Sequence, residues 1–318
     1  MAQKNSVMVL ASEYDPQFAR LKEIPYTVCG DAASCSQAAQ DATVILLWSA
    51  ARELLREVFP ICKQLRWVHS LAAGLDNVLF PELVESQIPL TNGRGVFSAS
   101  LGEFVLGAIL YFAKDFRRMV RNQMAAVWEP FDVQEISGQT VGILGYGDIG
   151  RAVASRVRAM SMRVLATKRH VSGSGDARVE RFYRPEERRE MFALCDYIVA
   201  TAPLTEETRN MISDAEFNAM KPTAVVINVG RGAVIDEAAL LRALSANRIK
   251  GAALDVFDHE PLPAGHPLFK MENVLLSPHC ADHTVDWRDQ AMLFFLEQYD
   301  RFEKNEPLKN IVDKRLGY

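Results

Sequence analysis

The hexapeptide Gly145-Tyr146-Gly147-Asp148-Ile149-Gly150 constrains this chain more than any other feature. It follows the apolar run Val141–Leu144 without a spacer and leads into a stretch with Val153, Val157 and Met160 at helical spacing. A glycine-rich turn between strand and helix suits a dinucleotide. The first glycine permits the tight turn, the second lets backbone amides approach a pyrophosphate, and the third lets helix and sheet pack closely. The helix N-terminus adds unsatisfied N–H groups and the positive end of its dipole. The pattern therefore assigns Gly145, Tyr146, Gly147, Asp148, Ile149 and Gly150 to a dinucleotide site. The alternative is a glycine-rich turn that binds nothing, and the flanking strand, helix and later strands weigh against it.

The chain alternates between strand and helix patterns on both sides of this turn. Before it, Val7–Leu10, Tyr26–Cys29, Val44–Trp48, Trp67–Ser70 and Leu90–Asn92 read as short β-rich runs, with Ala51–Phe59 as a helix closed by Pro60. Leu101–Arg121 reads as one long helix. After it, Val141–Leu144, Arg163–Thr167, Tyr197–Ala202, Ala224–Val229, Ala252–Val256 and Val274–Ser277 form a second series. Helix starts separate these strands: Ser213 with Glu216 as a capping box, Asp236 as a cap, and Pro185 ahead of Cys195. Trp287–Tyr299 is a closing amphipathic helix. The expected architecture is α/β, with two doubly wound Rossmann-like domains and a cleft between them. Residues 1–98 with 288–318 form a flavodoxin-like substrate domain, and residues 99–287 the dinucleotide-binding domain.

The second strand of the dinucleotide series sets coenzyme choice. NAD-selective folds end that strand with an acid that hydrogen-bonds the ribose 2′-hydroxyl. Here the strand ends Thr167-Lys168-Arg169. A guanidinium and an ammonium attract a 2′-phosphate that a carboxylate would repel, so these residues favour NADP(H) and leave NAD(H) as the weaker coenzyme. The basic run Arg178, Arg181, Arg184, Arg188 and Arg189 is interleaved with Glu180, Glu186, Glu187 and Glu190 and reads as a solvated face.

Three further segments close later strands of the series, where open α/β sheets place their ligands: Asn228-Val229-Gly230-Arg231-Gly232, Leu254-Asp255-Val256-Phe257-Asp258-His259-Glu260-Pro261 and Ser277-Pro278-His279-Cys280. Carbonyl reduction beside a dihydronicotinamide needs a cation to polarise the substrate, a proton donor, and a group that tunes the donor. Arginine, histidine and glutamate answer those needs. In this order after the glycine-rich turn, the segments resemble the signatures of the D-isomer-specific 2-hydroxyacid dehydrogenases, over essentially the whole chain. The resemblance is to the NADP-preferring, glyoxylate/hydroxypyruvate reductase-like branch.

The resemblance implies that Arg231 binds the substrate carboxylate and polarises its carbonyl, that His279 is the acid/base, and that Glu260 hydrogen-bonds His279 and favours its protonated form. Asp255 would hold the nicotinamide carboxamide. Ala202, Pro203, Thr208, Val229, Gly230 and His279 would line the coenzyme. Amides around Ala73 and Gly74, in Leu71-Ala72-Ala73-Gly74-Leu75-Asp76, would bind the substrate carboxylate. His69 and His259 read as structural or pocket-lining. Cys280 is rejected as a nucleophile because neighbours on an extended segment point to opposite sides. Where many relatives continue the histidine motif with glycines, this chain has Ala281-Asp282-His283-Thr284. Trp48 and Trp287 are candidates to narrow the substrate pocket, which leaves glyoxylate, hydroxypyruvate, pyruvate and bulkier 2-keto acids open.

Two other readings stay open: an NAD-dependent relative acting on 3-phosphoglycerate, phosphite or formate, and a dinucleotide-sensing co-repressor-like interaction protein. Bulk properties bound the rest. With 36 Lys and Arg against 40 Asp and Glu, the formal charge of −4 gives no bulk attraction to nucleic acid or an anionic membrane. Five separated cysteines without metal-type spacing suit reduced thiols and no metal site. The chain runs from Met1 almost directly into Ser6–Leu10, without room for a secretion signal, so a cytoplasmic protein is expected. The apolar surface of Leu101–Arg121 predicts a homodimer through that region.

Overall fold

The structure is a computed structural model that describes residues 5–48, 52–76, 78–169 and 175–318. The chain divides into two compact units, Met1–Phe97 with Val285–Tyr318, and Ser98–Thr284. In the first unit five short runs become parallel strands: β1 (Val7–Leu10), β2 (Tyr26–Cys29), β3 (Val44–Leu47), β4 (Trp67–Ser70) and β5 (Leu90–Asn92). Their order is β2-β1-β3-β4-β5, the flavodoxin-like doubly wound arrangement. β1, β3 and β4 are buried throughout; β1 and β3 are wholly apolar, as a parallel strand covered on both faces favours, while β4 also buries His69 and Ser70.

β3 ends one residue earlier than expected, and the Trp48 indole N–H instead donates to the buried Asp15 carboxylate at 3.1 Å. The helix after β3 is Arg52–Val58 with Pro60 in the 3-10 turn Phe59–Ile61, and Ala51 lies outside the described residues. The closing helix Trp287–Glu303 packs within this first unit, stacking Phe295 on Trp67 with ring centroids 5.5 Å apart. Beyond it, Lys314 Nζ donates to the carbonyls of Leu83, Ser86 and Ile88 and secures the end of the chain.

Among the described residues, the second unit holds seven parallel strands: β6 (Thr140–Leu144), β7 (Arg163–Thr167), β8 (Arg181–Tyr183), β9 (Tyr197–Ala200), β10 (Val225–Asn228), β11 (Gly251–Leu254) and β12 (Val274–Leu276). Their order is β12-β11-β10-β9-β6-β7-β8. The order reverses between β6 and β9, and that switch point is where such sheets bind dinucleotides.

Two expectations are corrected here. The basic run is not simply a solvated face. Arg181 begins β8, a seventh strand that the alternating charges concealed, and Arg188 reaches the buried Glu216 at 2.9 Å. Nor is Leu101–Arg121 one helix. Ser98–Lys114 stops at Asp115, whose φ of +50° breaks the backbone path, and the Asp115 carboxylate caps a new helix, Phe116–Met124, through the Arg118 N–H. Among the described residues, no helix is long and apolar enough to cross a membrane.

Candidate active site

Every strand of the second unit is parallel, so all carboxyl ends lie along one edge, and each motif sits there. At the centre, β6 runs into Gly145, whose φ is +96° and where an added Cβ would come within 2.7 Å of the Ala202 Cα. Only glycine fits that turn. Its amide donates to the Thr167 hydroxyl at 3.0 Å, and its carbonyl accepts from the Thr201 hydroxyl at 2.6 Å. Thr167 thus props the turn from β7, and Thr201, which sequence reasoning missed, holds it from β9.

Gly147 differs: an added Cβ would meet nothing within 4 Å. Among the described residues no contact requires glycine there, whereas an anion seated against the amides does. Gly147 caps the helix Asp148–Ala159 without a side-chain bond, so no cap side chain stands between the helix N-terminus and such a ligand, and Ile149 is half-buried. Asp148 pairs with Arg151 at 2.9 Å. The residues present therefore fit a dinucleotide pyrophosphate.

Tyr146 is 6% exposed: its ring meets Phe182 edge-on, and its hydroxyl donates to Asp176 at 2.8 Å. Arg178, bonded to the same carboxylate, holds Asp176 well below the usual carboxylate range. The side chain at this position thus anchors the glycine-rich turn to β8, a strand not visible in the sequence.

Beyond β7, Lys168 is exposed and its amide donates to the Tyr183 carbonyl. Arg169 pairs with Glu207 at 2.6 Å. Glu207 belongs to the loop after β9, where the Thr208 hydroxyl donates to the Pro203 carbonyl at 2.6 Å and accepts the Thr205 amide at 2.7 Å. Thr208 closes this loop, which starts at the buried Ala202.

At the other end of the sheet, β10, β11 and β12 are neighbours, and this brings the last three motifs together. After β10, the buried Asn228 accepts the Gly230 amide at 3.1 Å and donates to the Arg231 carbonyl at 2.9 Å, shaping the loop through Val229 that presents Arg231. The Arg231 guanidinium donates to the Gly230 carbonyl at 2.8 Å. Gly232 abuts the Phe257 carbonyl and the Asp258 amide so closely that no Cβ can be accommodated. After β11, Glu260 accepts the Phe257 amide at 2.9 Å through one oxygen and meets His279 Nδ1 at 2.6 Å through the other. A carboxylate at Nδ1 keeps a proton there and leaves Nε2 as the outward ring nitrogen.

His279 has a φ of +52°, a left-handed conformation costly for a residue with a Cβ. The buried Asp255 carboxylate compensates by accepting the next two amides, Cys280 at 3.0 Å and Ala281 at 3.1 Å. That contact was not foreseen, because it joins β11 to the loop after β12. Cys280 is exposed, with its Sγ 3.4 Å from the Ser277 hydroxyl. Burial raises the Asp282 carboxyl above its ordinary range. No group of three or more metal-ligating side chains occurs among the described residues.

The first unit has its own loop at a carboxyl edge. After β4, the Ala73 carbonyl accepts from Asn92 at 2.6 Å, and Ala73 and Gly74 are half-buried. His69 is buried, with Nδ1 2.7 Å from the Thr91 hydroxyl, which already accepts the Trp67 indole N–H at 2.8 Å. Burial pushes the His69 pKa down to about 3, so the ring is neutral. His69 is therefore a structural residue.

The family model for the D-isomer specific 2-hydroxyacid dehydrogenase NAD binding domain matches residues 106–281. The chain belongs to the D-isomer-specific 2-hydroxyacid dehydrogenases. Glyoxylate reductase of Korarchaeum cryptofilum is 34% identical over 268 residues, covering 82% of this chain and 80% of that protein. Among solved structures, a D-isomer specific 2-hydroxyacid dehydrogenase from Xanthobacter autotrophicus in complex with NADPH and MES is 29% identical, with both chains fully covered and a TM-score of 0.84. An NADPH-dependent glyoxylate/hydroxypyruvate reductase from Sinorhizobium meliloti, in complex with NADP and sulfate, is 27% identical, with a TM-score of 0.86 over 99% of this chain and 100% of the other. This dehydrogenase is accordingly an NAD(P)-dependent oxidoreductase acting on the CH–OH group of its donors, and its two parallel-sheet α/β domains are those of the family.

Proposed function

We propose that the dehydrogenase reduces a small 2-keto acid, of the glyoxylate, hydroxypyruvate or pyruvate class, to the D-2-hydroxy acid, with NADPH as the preferred reductant. The observation that carries this reading is the 2.6 Å contact between His279 Nδ1 and Glu260, whose own loop packs at Phe257 and Asp258 directly against the one presenting Arg231. A dihydronicotinamide bound at the carboxyl edge supplies hydride from C4. His279 Nε2 donates the proton to the carbonyl oxygen, and Glu260 stabilises the imidazolium that must be present beforehand. Arg231 polarises the carbonyl and binds the substrate carboxylate. Asp255 both holds the carboxamide and maintains the His279 backbone.

Lys168 and Arg169 favour NADPH because they offer charge-assisted bonds to a dianionic 2′-phosphate that NADH lacks. At about 1.5–3 kcal/mol per bond, kcat/KM for NADPH exceeds that for NADH by at least about tenfold. Changing both residues to Ala raises KM for NADPH and leaves NADH nearly unchanged. A matrix of both coenzymes against a set of 2-keto acids tests coenzyme and substrate class together. Equal efficiency with the two coenzymes overturns the NADPH preference, and absence of turnover with every keto acid overturns the reaction.

The same reading includes a homodimer. In and after the helix Phe116–Met124, Met124 is 85% exposed and Trp128 97% exposed, with Phe116, Val120 and Val127 also open to solvent. Apolar side chains at such density mark an interface, and a second copy is the occupant that the family relationship suggests. Light scattering at micromolar concentration should give twice the chain mass, falling to one for Trp128→Arg. A wild-type monomer overturns the dimer.

A further inference from the structure

The β7 end lacks the acid that would read a ribose 2′-hydroxyl, yet a carboxylate reaches the same place from another loop. Arg169 follows β7 and Glu207 lies in the loop after β9, with β6 and its glycine-rich turn between those strands. Their 2.6 Å ion pair therefore links the two loops that flank the dinucleotide turn. The Glu207 side chain is 74% exposed, while its backbone lies in the loop closed by Thr208. The carboxylate is thus delivered by a shaped loop and free to change rotamer.

We propose that Glu207 is a coenzyme-specificity residue that limits the preference for NADPH by competing with the 2′-phosphate for Arg169. This rests on the reading of Lys168 and Arg169 given above. A 2′-phosphate arriving at the guanidinium meets a carboxylate already on it, and the two anions repel unless Glu207 swings into solvent. A neutral 2′-hydroxyl meets no such penalty and can donate to the carboxylate. The same side chain therefore opposes NADPH and assists NADH. It belongs to a binding contact rather than to the proton-transfer machinery, so its effect falls on KM and not on kcat.

Glu207→Gln removes the charge while keeping the size. KM for NADPH should fall about threefold to tenfold, KM for NADH should rise, and kcat with either should stay within about twofold. The gain with NADPH should shrink as salt is raised, because the carboxylate is exposed. Calorimetry with adenosine 2′,5′-bisphosphate, compared with adenosine 5′-monophosphate, reads the same contact without turnover. Glu207→Gln should bind the bisphosphate more tightly and the monophosphate, whose free 2′-hydroxyl loses its carboxylate acceptor, more weakly, whereas Arg169→Ala should weaken the bisphosphate alone. If Arg169→Ala weakens bisphosphate binding but Glu207→Gln leaves it unchanged or weaker, the role of Glu207 is overturned while the 2′-phosphate site stands. If Arg169→Ala has no effect on the bisphosphate, the 2′-phosphate site itself fails and takes this proposal with it.

Discussion

Replacing His279 with alanine lowers kcat for keto-acid reduction by about 10²–10⁴-fold while leaving the dissociation constant for the coenzyme within a few-fold. The expectation follows from position. Glu260 engages Nδ1, so Nε2 is the ring nitrogen left to face substrate. The loop contributes its backbone to Asp255 regardless of the side chain at 279, since the amides involved are those of Cys280 and Ala281. Alanine therefore removes the proton donor without removing the loop. Glu260→Gln separates the partner's role: it keeps a hydrogen-bonding group of the same size but withdraws the negative charge that meets Nδ1. kcat for reduction should fall, because the ring loses the charged partner that holds Nδ1 and so orients Nε2. Unchanged kcat in Glu260→Gln, or near-normal reduction by His279→Ala, sinks the proton-donor assignment.

Gly232→Ala should be nearly as damaging although glycine carries no chemistry. An added methyl would overlap the Phe257 carbonyl and the Asp258 amide. These are main-chain atoms that cannot rotate away, so a loop must shift. Overpacking against backbone costs about 3 kcal/mol, which for a domain of this size lowers Tm by roughly 6–12 °C. The loop forced to move carries Glu260, and a displacement on the order of 1 Å in a catalytic group costs about 10²-fold in rate. Calorimetry and steady-state kinetics on the same preparation check both parts. A variant with unchanged Tm and activity would mean that the two loops separate freely, and their role in aligning Arg231 with the His279–Glu260 pair would have to be given up.

Some of the fold was legible because its causes are local. Strand, glycine turn and helix follow one another within residues 141–160, and Asp236 accepts the Ala239 amide three residues on, as its cap position foretold. Glu216 accepts the Ser213 amide at 3.1 Å, also within one helical turn. The break at Asp115 was missed because a strong apolar stripe masked a single left-handed residue. β8 was missed because three residues bearing one arginine carry too little periodicity to outweigh the charges around them.

By itself the sequence determined the two-part α/β organisation, the dinucleotide turn and the family, since each rests on residue types at short spacing or on motifs in fixed order. Only the tertiary structure decided what those residues hold. Asp255 clamps the backbone after His279 from 25 residues away, Thr201 grips the Gly145 carbonyl from 56 away, and Arg169 finds Glu207 at a separation of 38. Such pairings depend on strand order, and strand order is settled by how buried faces pack between distant segments, which no local pattern records.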